Sequence, residues 1–461
     1  MKQPIEKQTV ACWGLNKSVQ SWLLHPTNEE EVLECLQFAG QKKLSICPKG
    51  SGNSFGDVFL IRDHISLDIT GFNKIKNFDP ATGIIIVEPG VLLSEILGIV
   101  MPYKWFLVAV SGSIHTTVGG AIASNIHGKD SWKEGNFSNN IVSFKLLLAD
   151  GSVRQVERAA DAELFNCVVG GLGLIGVIIE ATLQLKKISS LMLACETKRA
   201  CDFEEIEKHL YDNPNSNFVH SWIDAFANGK STIKGITEVA IFAEGEDYPV
   251  EKFQKSLVSK TKIMMLSPEM FWRVFRVVWN PVFLHFLNSA KYNLSSLSPS
   301  RKKVVPFSRY QYPWAALPKS NLSSAPAGFM ELQNLFPKQN AIKAFTELLH
   351  ICKQFGRIPE VCGIKRFTKD APYLSFSDDG LSISIDFTLN NFPEKKLEAF
   401  RQKLTETTLK YSGKTYLAKY PYMPQDAFKE MYPMYWKFKE VKTKYDPNRL
   451  FWSDAAERLL I

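Results

Sequence analysis

The spacing of apolar and polar positions changes several times along the chain, and each change predicts an element. HPTNEEEVLECLQFAGQKK, residues 25–43, has the 3.6-residue period of a helix, with Thr27 and Glu30 at capping-box spacing ahead of it. The apolar run LSICP predicts a strand, and KGSGNSFGD after it predicts a glycine-rich loop. GIIIVEPGVLLSEILGIV reads as a strand over 84–88, a turn at Pro89-Gly90 and a helix from about Leu92. IVSFKLLLADGSVRQV predicts two strands joined at Asp150-Gly151.

Beyond residue 190 glycines thin out. FVHSWIDAF, EVAIFAEG, GFMELQNLFP, EVCGIKRFT and LSISIDFTL predict strands of a second sheet. AIKAFTELLHICKQFG and EKKLEAFRQKLTETTLKYSG, between and after them, are helical by period. GGLGLIG holds Gly171-x-Gly173-x-x-Gly176, a literal dinucleotide fingerprint. That motif works where the glycines open a helix onto a pyrophosphate, whereas the β-rich VIIEATLQL follows here, which argues against a Rossmann loop.

With 461 residues, 45% hydrophobic and 22% charged, the chain has the composition of a globular protein of two or three domains. The net charge of +8 comes without a compact basic tract, so nucleic acid is not an expected partner. Eight scattered cysteines form no C-x-x-C pair and no zinc spacing, which predicts a reducing compartment and no metal. MKQPIEKQTVACWGLN is too charged for a signal peptide, so the expectation is a cytoplasmic protein, in peripheral contact with the inner face of a membrane if residues 263–293 supply one. That segment is rich in Phe, Trp, Val and Leu but carries Arg273, Arg276 and Pro281. It reads either as a helix pair packed between domains or as a membrane-surface contact.

Two glycine-rich loops sixty residues apart, Lys49 to Asp57 and Gly112 to Gly128, suggest one elongated ligand gripped twice through backbone amides. A pyrophosphate-bearing cofactor has that shape. PKGSGNSFGD, VEPGVLLSEI, SGSIHTTVGGAIASNIHGK and DAELFNCVVGGLGLIGVIIEATLQL together resemble the PCMH-type FAD-binding domain of the vanillyl-alcohol oxidase superfamily. GNFSNNI, SWIDAFANGK, PAGFMELQ, KRF, SISIDF, YLAK and DPNRLFWSDAAERL extend the likeness over nearly the whole chain, to the decaprenylphosphoryl-β-D-ribose oxidase family.

The resemblance implies an α+β fold: a two-subdomain FAD domain over 1–190, a substrate domain with an antiparallel sheet flanked by helices over 191–411, and a segment over 412–461 that returns to the FAD domain. It implies FAD contacts from Lys49, Gly50, Ser51, Gly52, Asn53, Ser54 and Phe55 in the first loop. The second loop would add Ser113, Val118, Gly119, Gly120, Ala123, Ser124, Ile126, His127 and Gly128. Gly173, Gly176, Ile178 and Tyr416 would complete the cofactor site. Asn53 stands where many members carry a flavin-linked histidine, which implies noncovalent FAD.

Lys419 matches the family's active-site lysine and, with His127, is the expected catalytic group, with the role of a core histidine satisfied by backbone partners open for His127. Gln333, Lys365, Ser384, Asp386, Tyr312 and Trp222 are expected to face substrate, although a buried structural role is open for Asp386 and a core role for Tyr312 and Trp222. Ser384 replaces the family's active-site cysteine, Phe55 replaces a common tyrosine, and QYPWAAL lacks the acidic residue usual after its proline. The implied reaction is oxidation of the 2'-hydroxyl of a polyprenylphosphoryl ribose to a ketone. A partner NAD(P)H-dependent reductase would complete an epimerisation. The alternatives are an oxygen-using aldonolactone-type oxidase and a non-catalytic FAD-binding subunit.

Overall fold

Alternation of apolar and polar side chains builds three sheets and a small ribbon, seen in a computed structural model that describes residues 6–226, 233–245, 248–295 and 302–460. The first sheet holds β1 (Lys7–Ala11), β2 (Ser18–Leu24), β3 (Ile46–Lys49) and β4 (Ile65–Asp68) in the order β1-β2-β4-β3. β2 and β3 both run parallel to β4. The helix Glu29–Lys42 covers this sheet with Val32, Cys35, Leu36 and Ala39. Its cap lies one residue beyond the expected pair. Asn28 accepts the Glu31 amide, and the Glu31 carboxylate reaches back to Thr27. Glu30 takes no part in the cap, because the first turn starts one residue later than the Thr27 reading requires.

Next in the chain come β5 (Ile75–Asp79), β6 (Ile84–Val87), β7 (Trp105–Phe106), β8 (Ile141–Leu147), β9 (Val153–Glu157), β10 (Val177–Gln184) and β11 (Lys186–Lys187). β7 and β11 form the ribbon, and the others form an antiparallel sheet ordered β5-β6-β10-β8-β9. The pseudo-fingerprint glycines lead into β10 rather than a helix, and Gly176 lies so close to Leu147 that a Cβ there would sit 2.6 Å from its carbonyl oxygen.

The third sheet is antiparallel throughout and eight-stranded. It comprises β12 (Met192–Ala200), β13 (Phe218–Asp224), β14 (Lys234–Phe242), β15 (Lys303–Pro306), β16 (Phe329–Pro337), β17 (Cys362–Phe367), β18 (Gly380–Thr388) and β19 (Lys414–Thr415), ordered β15-β12-β14-β13-β17-β18-β16-β19. β12 is absent from the sequence reading because MLACETKRA shows almost no apolar alternation. Helices Lys338–Gln354 and Glu394–Lys410 pack on one face of this sheet. The other face is turned to the first two sheets.

The halves meet through apolar contact and a few backbone bonds. Phe106 packs edge-on against Phe218, Phe242 and Phe307, with ring centroids 5.2–5.9 Å apart. Val219 donates its amide to the Lys129 carbonyl at 3.0 Å, extending the edge of β13 into the second glycine loop. The end of the chain lies against the first sheet. Trp452 donates to Ile46, and the Arg458 guanidinium meets the buried Asp57 carboxylate at 2.8 Å. Among the described residues no helix is long and apolar enough to cross a membrane.

Candidate active site

β3 ends at Lys49, and the chain then runs along one wall of a cavity of about 1570 Å³. The backbone amides of Gly50 through Ser54 donate to no protein acceptor among the described residues, so they are free to meet ligand oxygens. Two glycines in this stretch have specific reasons. Gly52 has φ +71°, and a Cβ on Gly50 would sit 2.3 Å from Thr117 Oγ1, where the second loop crosses the first. Asn53 Nδ2 donates to the His115 carbonyl at 2.7 Å and ties the loops together.

The opposite wall is the inner face of the third sheet. Register fixes which side chains share that face: Glu331 lies opposite Asp386 and Gln333 opposite Ser384 across β16 and β18. Gly363 lies opposite Ser384 and Lys365 opposite Ser382 across β17 and β18, while Trp222 of β13 lies opposite Gly363. Every second residue therefore points the same way, and the polar residues at these positions form one surface.

At its centre is a chain of close contacts. Lys419 Nζ donates to Glu331 Oε2 at 2.6 Å, and Ser384 Oγ donates to Glu331 Oε1 at 2.5 Å. The same ammonium sits 3.8 Å from the centre of the Phe55 ring, in cation–π contact. Burial, and then the neighbouring Glu331 carboxylate, hold the Asp386 carboxyl well above the usual range, which favours its protonated form.

His127 lies beside this chain, buried against Phe367 and Tyr416 with centroids 4.9 and 5.3 Å away. Burial, followed by the Lys365 and Lys419 cations, depresses its pKa well below 6.5, against a hydrogen bond with Gln333. The imidazole is neutral, and its Nδ1 has no hydrogen-bond partner among the described residues. Tyr416 is anchored by its hydroxyl, which donates to the Ser124 carbonyl at 2.9 Å, and by its amide on Gln333.

Another part of the wall is cationic. Lys129, Lys291 and Lys365 line it around His220, whose own pKa is pushed well below 6.5 by burial and then by these cations. Lys129 Nζ donates to the Tyr310 carbonyl at 2.8 Å, and Lys291 stands over the Trp222 ring at 4.2 Å. No hydrogen bond or ion pair to Lys365 Nζ is formed among the described residues. Burial brings Lys129 down to about 8. Burial and then the Lys419 cation do the same for Lys365. Glu238, 3.6 Å from His220 Nε2, offsets only part of this charge.

Of the residues singled out from sequence, the structure gathers Gly50, Ser51, Gly52, Asn53, Ser54 and Phe55 on the cavity wall, with Ser113, Gly120, Ala123, Ser124, Ile126 and His127 from the second loop. Trp222, Gln333, Lys365, Ser384, Asp386, Tyr416 and Lys419 join them from the third sheet and the segment after it. Others lie outside the wall. Lys49 is drawn away by Asp68, 2.7 Å from its ammonium. Val118 and Ile178 are core residues, and Tyr312 is buried beside Phe307. Gly119 packs on Pro89, Gly128 on Ala109, Gly173 on Pro48 and Gly176 on Leu147. Gly119, Gly128 and Gly176 make close contacts that leave little room for a side chain, and Gly173 is set by its φ of +75°, so none of the four lines the cavity.

Sequence reasoning missed Glu331, Lys129, His220 and Lys291. A signal for Glu331 was present, because it stands two residues before Gln333 on a strand and must share its face.

The residues fit a flavin. The cavity exceeds the roughly 300–1,000 Å³ of ordinary small-molecule sites, and the unpaired amides of 50–54 suit a pyrophosphate. An FAD binding domain family matches residues 21–157, which hold both glycine loops. A D-arabinono-1,4-lactone oxidase family matches residues 328–459, which hold Glu331, Gln333, Lys365, Ser384, Asp386 and Lys419. The chain is an FAD-dependent oxidoreductase.

This oxidoreductase is 24% identical to the decaprenylphosphoryl-β-D-ribose oxidase of Mycolicibacterium smegmatis, over 99% of this chain and 98% of that one. It is 23% identical to the L-gulono-1,4-lactone dehydrogenase of Mycobacterium tuberculosis over 95% of this chain and 96% of that one. It is likewise 23% identical to the L-gulonolactone oxidase of Mus musculus, over 94% of each. These relatives include enzymes named for sugars with and without phosphate, so similarity alone leaves the substrate to be argued from the site.

Proposed function

We propose that the oxidoreductase converts a secondary hydroxyl of a polyprenylphosphoryl pentose, the 2'-hydroxyl of ribose, to a ketone, as the first half of an epimerisation. The observation that carries the reading is the group of lysines on the cavity wall around His220. Three lysines gathered there are costly to assemble unless an anion joins them. A phosphodiester supplies that anion, and a neutral sugar lactone does not. The lactone reading draws on the family match over 328–459 but leaves Lys129, Lys291 and Lys365 without a purpose.

Bound FAD supplies the two-electron acceptor that takes hydride from the carbinol carbon. The amides of Gly50 to Ser54 would hold its pyrophosphate end, and the carboxamide of Asn53, which is not a nucleophile, would form no covalent bond to it and instead ties the loops through His115. Lys419 polarises the sugar hydroxyl, and Glu331 accepts its proton as hydride leaves. Each Glu331 oxygen keeps a free lone pair beyond its bond to Lys419 or Ser384. Asp386, Gln333 and neutral His127 orient the ring. The ketone is then reduced by a separate NAD(P)H-dependent enzyme.

The test is a comparison of substrates and pH. Lys365→Met should raise KM for a polyprenylphosphoryl ribose by about tenfold or more while leaving KM for a free aldonolactone unchanged. Lys129 and Lys365 are charged below about 8 and neutral above it, so kcat/KM for the phosphoryl substrate should fall as pH rises through that value. A KM for the phosphoryl sugar that Lys365→Met leaves untouched would remove the basis of the assignment.

A further inference from the structure

Residues 258–294 form the rim of the cavity on its outer side. Ser259, Lys260, Thr261, Pro268, Glu269 and Trp272 line the mouth. The helices Pro268–Phe275 and Pro281–Leu294 bury only part of their surface. Ile263, Phe271 and Trp272 form a small core of their own, with Phe275, Trp279, Leu317 and Leu322 packed on it. The inner side of the segment is thereby satisfied.

The outer side is apolar and open. Met264 and Met265 are 82% and 90% exposed, Val277 is 77% and Val282 is 81% exposed, and Val274 and Phe286 are exposed beside them. Met264 and Met265 sit at the tip of a tight turn closed by reciprocal bonds of 2.9 Å between Ile263 and Leu266. Both have positive φ, 46° and 70°, a conformation that side chains of this size enter at a cost. Among the described residues almost no packing offsets that cost, since both side chains stay largely exposed. Lys260, Lys262, Arg273 and Arg276 stand exposed around the same surface, and Glu269 there is already paired with Lys319.

We infer that this face docks onto an anionic lipid surface, with Met264 and Met265 inserted among the acyl chains and the cavity mouth held at the headgroup level. A bilayer fits both halves of the pattern, since apolar side chains partition into it while the flanking cations meet negative headgroups. A second copy of the chain fits it poorly, because a two-fold contact would set the same basic ring against itself. The benefit to catalysis rests on the lipid-linked substrate reading, for a sugar phosphate on a polyprenyl tail is presented at that level. The docking itself needs no substrate, so its test is separate.

The experiment is vesicle flotation of the intact FAD-loaded protein, with vesicles of phosphatidylcholine and phosphatidylglycerol in equal parts and with phosphatidylcholine alone. Wild type should float with the anionic vesicles, less with neutral ones, and less again at high salt. M264D/M265D should lose vesicle binding by roughly tenfold or more while keeping its flavin spectrum. Equal flotation of the variant, or none by wild type, would overturn the inference. Concentration-dependent dimerisation lost in the variant, without vesicle binding by wild type, would overturn it too and assign the face to self-association.

Discussion

Glu331→Gln should lower kcat by roughly two to four orders of magnitude while the protein keeps its flavin spectrum. Glutamine preserves the shape of the side chain and can still accept from Lys419 or Ser384, but it cannot take a proton. The loss should therefore appear in the rate of flavin reduction and not in KM. Lys419→Met should cost a similar factor for a different reason. It removes the cation 2.6 Å from Glu331 and with it the nearest counter-charge of the Glu331–Asp386 pair. Because lysine and glutamate act on one hydroxyl, the double variant should be little worse than either single one. Rapid-mixing measurements of flavin reduction under anaerobic conditions read all three. A near-normal rate for Glu331→Gln beside a lost rate for Lys419→Met would transfer the proton acceptor to the lysine.

Gly50→Ala should abolish stable FAD binding. The added Cβ falls 2.3 Å from Thr117 Oγ1, so the two glycine loops must separate, and the free amides of 50–54 lose their common geometry. Thr117→Ala in the same chain removes that atom and should restore part of the binding, since the next neighbour stands at an ordinary 3.5 Å. Gly40→Ala, where nothing lies within 4 Å, is the control and should leave FAD content unchanged. Visible absorbance of the purified variants, scaled to protein, gives the result. Full FAD content in Gly50→Ala would show that the loops do not grip the cofactor where they cross.

The elements that stand out in sequence are those with a clean period. Strands β16, β17 and β18 alternate strongly enough to fix which residues share a face, and this places Gln333, Lys365, Ser384 and Asp386 on one wall. Glu331 obeys the same rule but lies within a stretch read for its overall likeness. β12 escapes notice because its buried neighbours, and not its own side chains, make it a strand. Lys129 and Lys291 belong to a glycine loop and an aromatic helix, and only the packing of β13 against both brings them together. The pseudo-fingerprint was correctly set aside on physical grounds. Gly176 serves close packing, and Gly173 a positive φ, ahead of a strand. The glycines of 112–128 had the opposite ambiguity. Composition marks the loop, but only coordinates separate Gly120, on the cavity, from Gly119 and Gly128, packed beneath it. The segment 263–293 was legible as apolar, yet which side faces outward follows only from the pairing of Trp272 with its small core.

The activity proposed for the oxidoreductase is flavin-dependent oxidation of an anionic, lipid-linked sugar. Its most direct test is the visible spectrum of the purified oxidoreductase during anaerobic addition of a polyprenylphosphoryl ribose, with a free aldonolactone added in a parallel sample. Bleaching of the flavin band by the phosphoryl sugar, and slow or absent bleaching by the lactone, is the predicted result. A flavin that stays oxidised with the phosphoryl sugar and bleaches rapidly with the lactone would contradict it, and would return the cavity's lysines to a purely structural role.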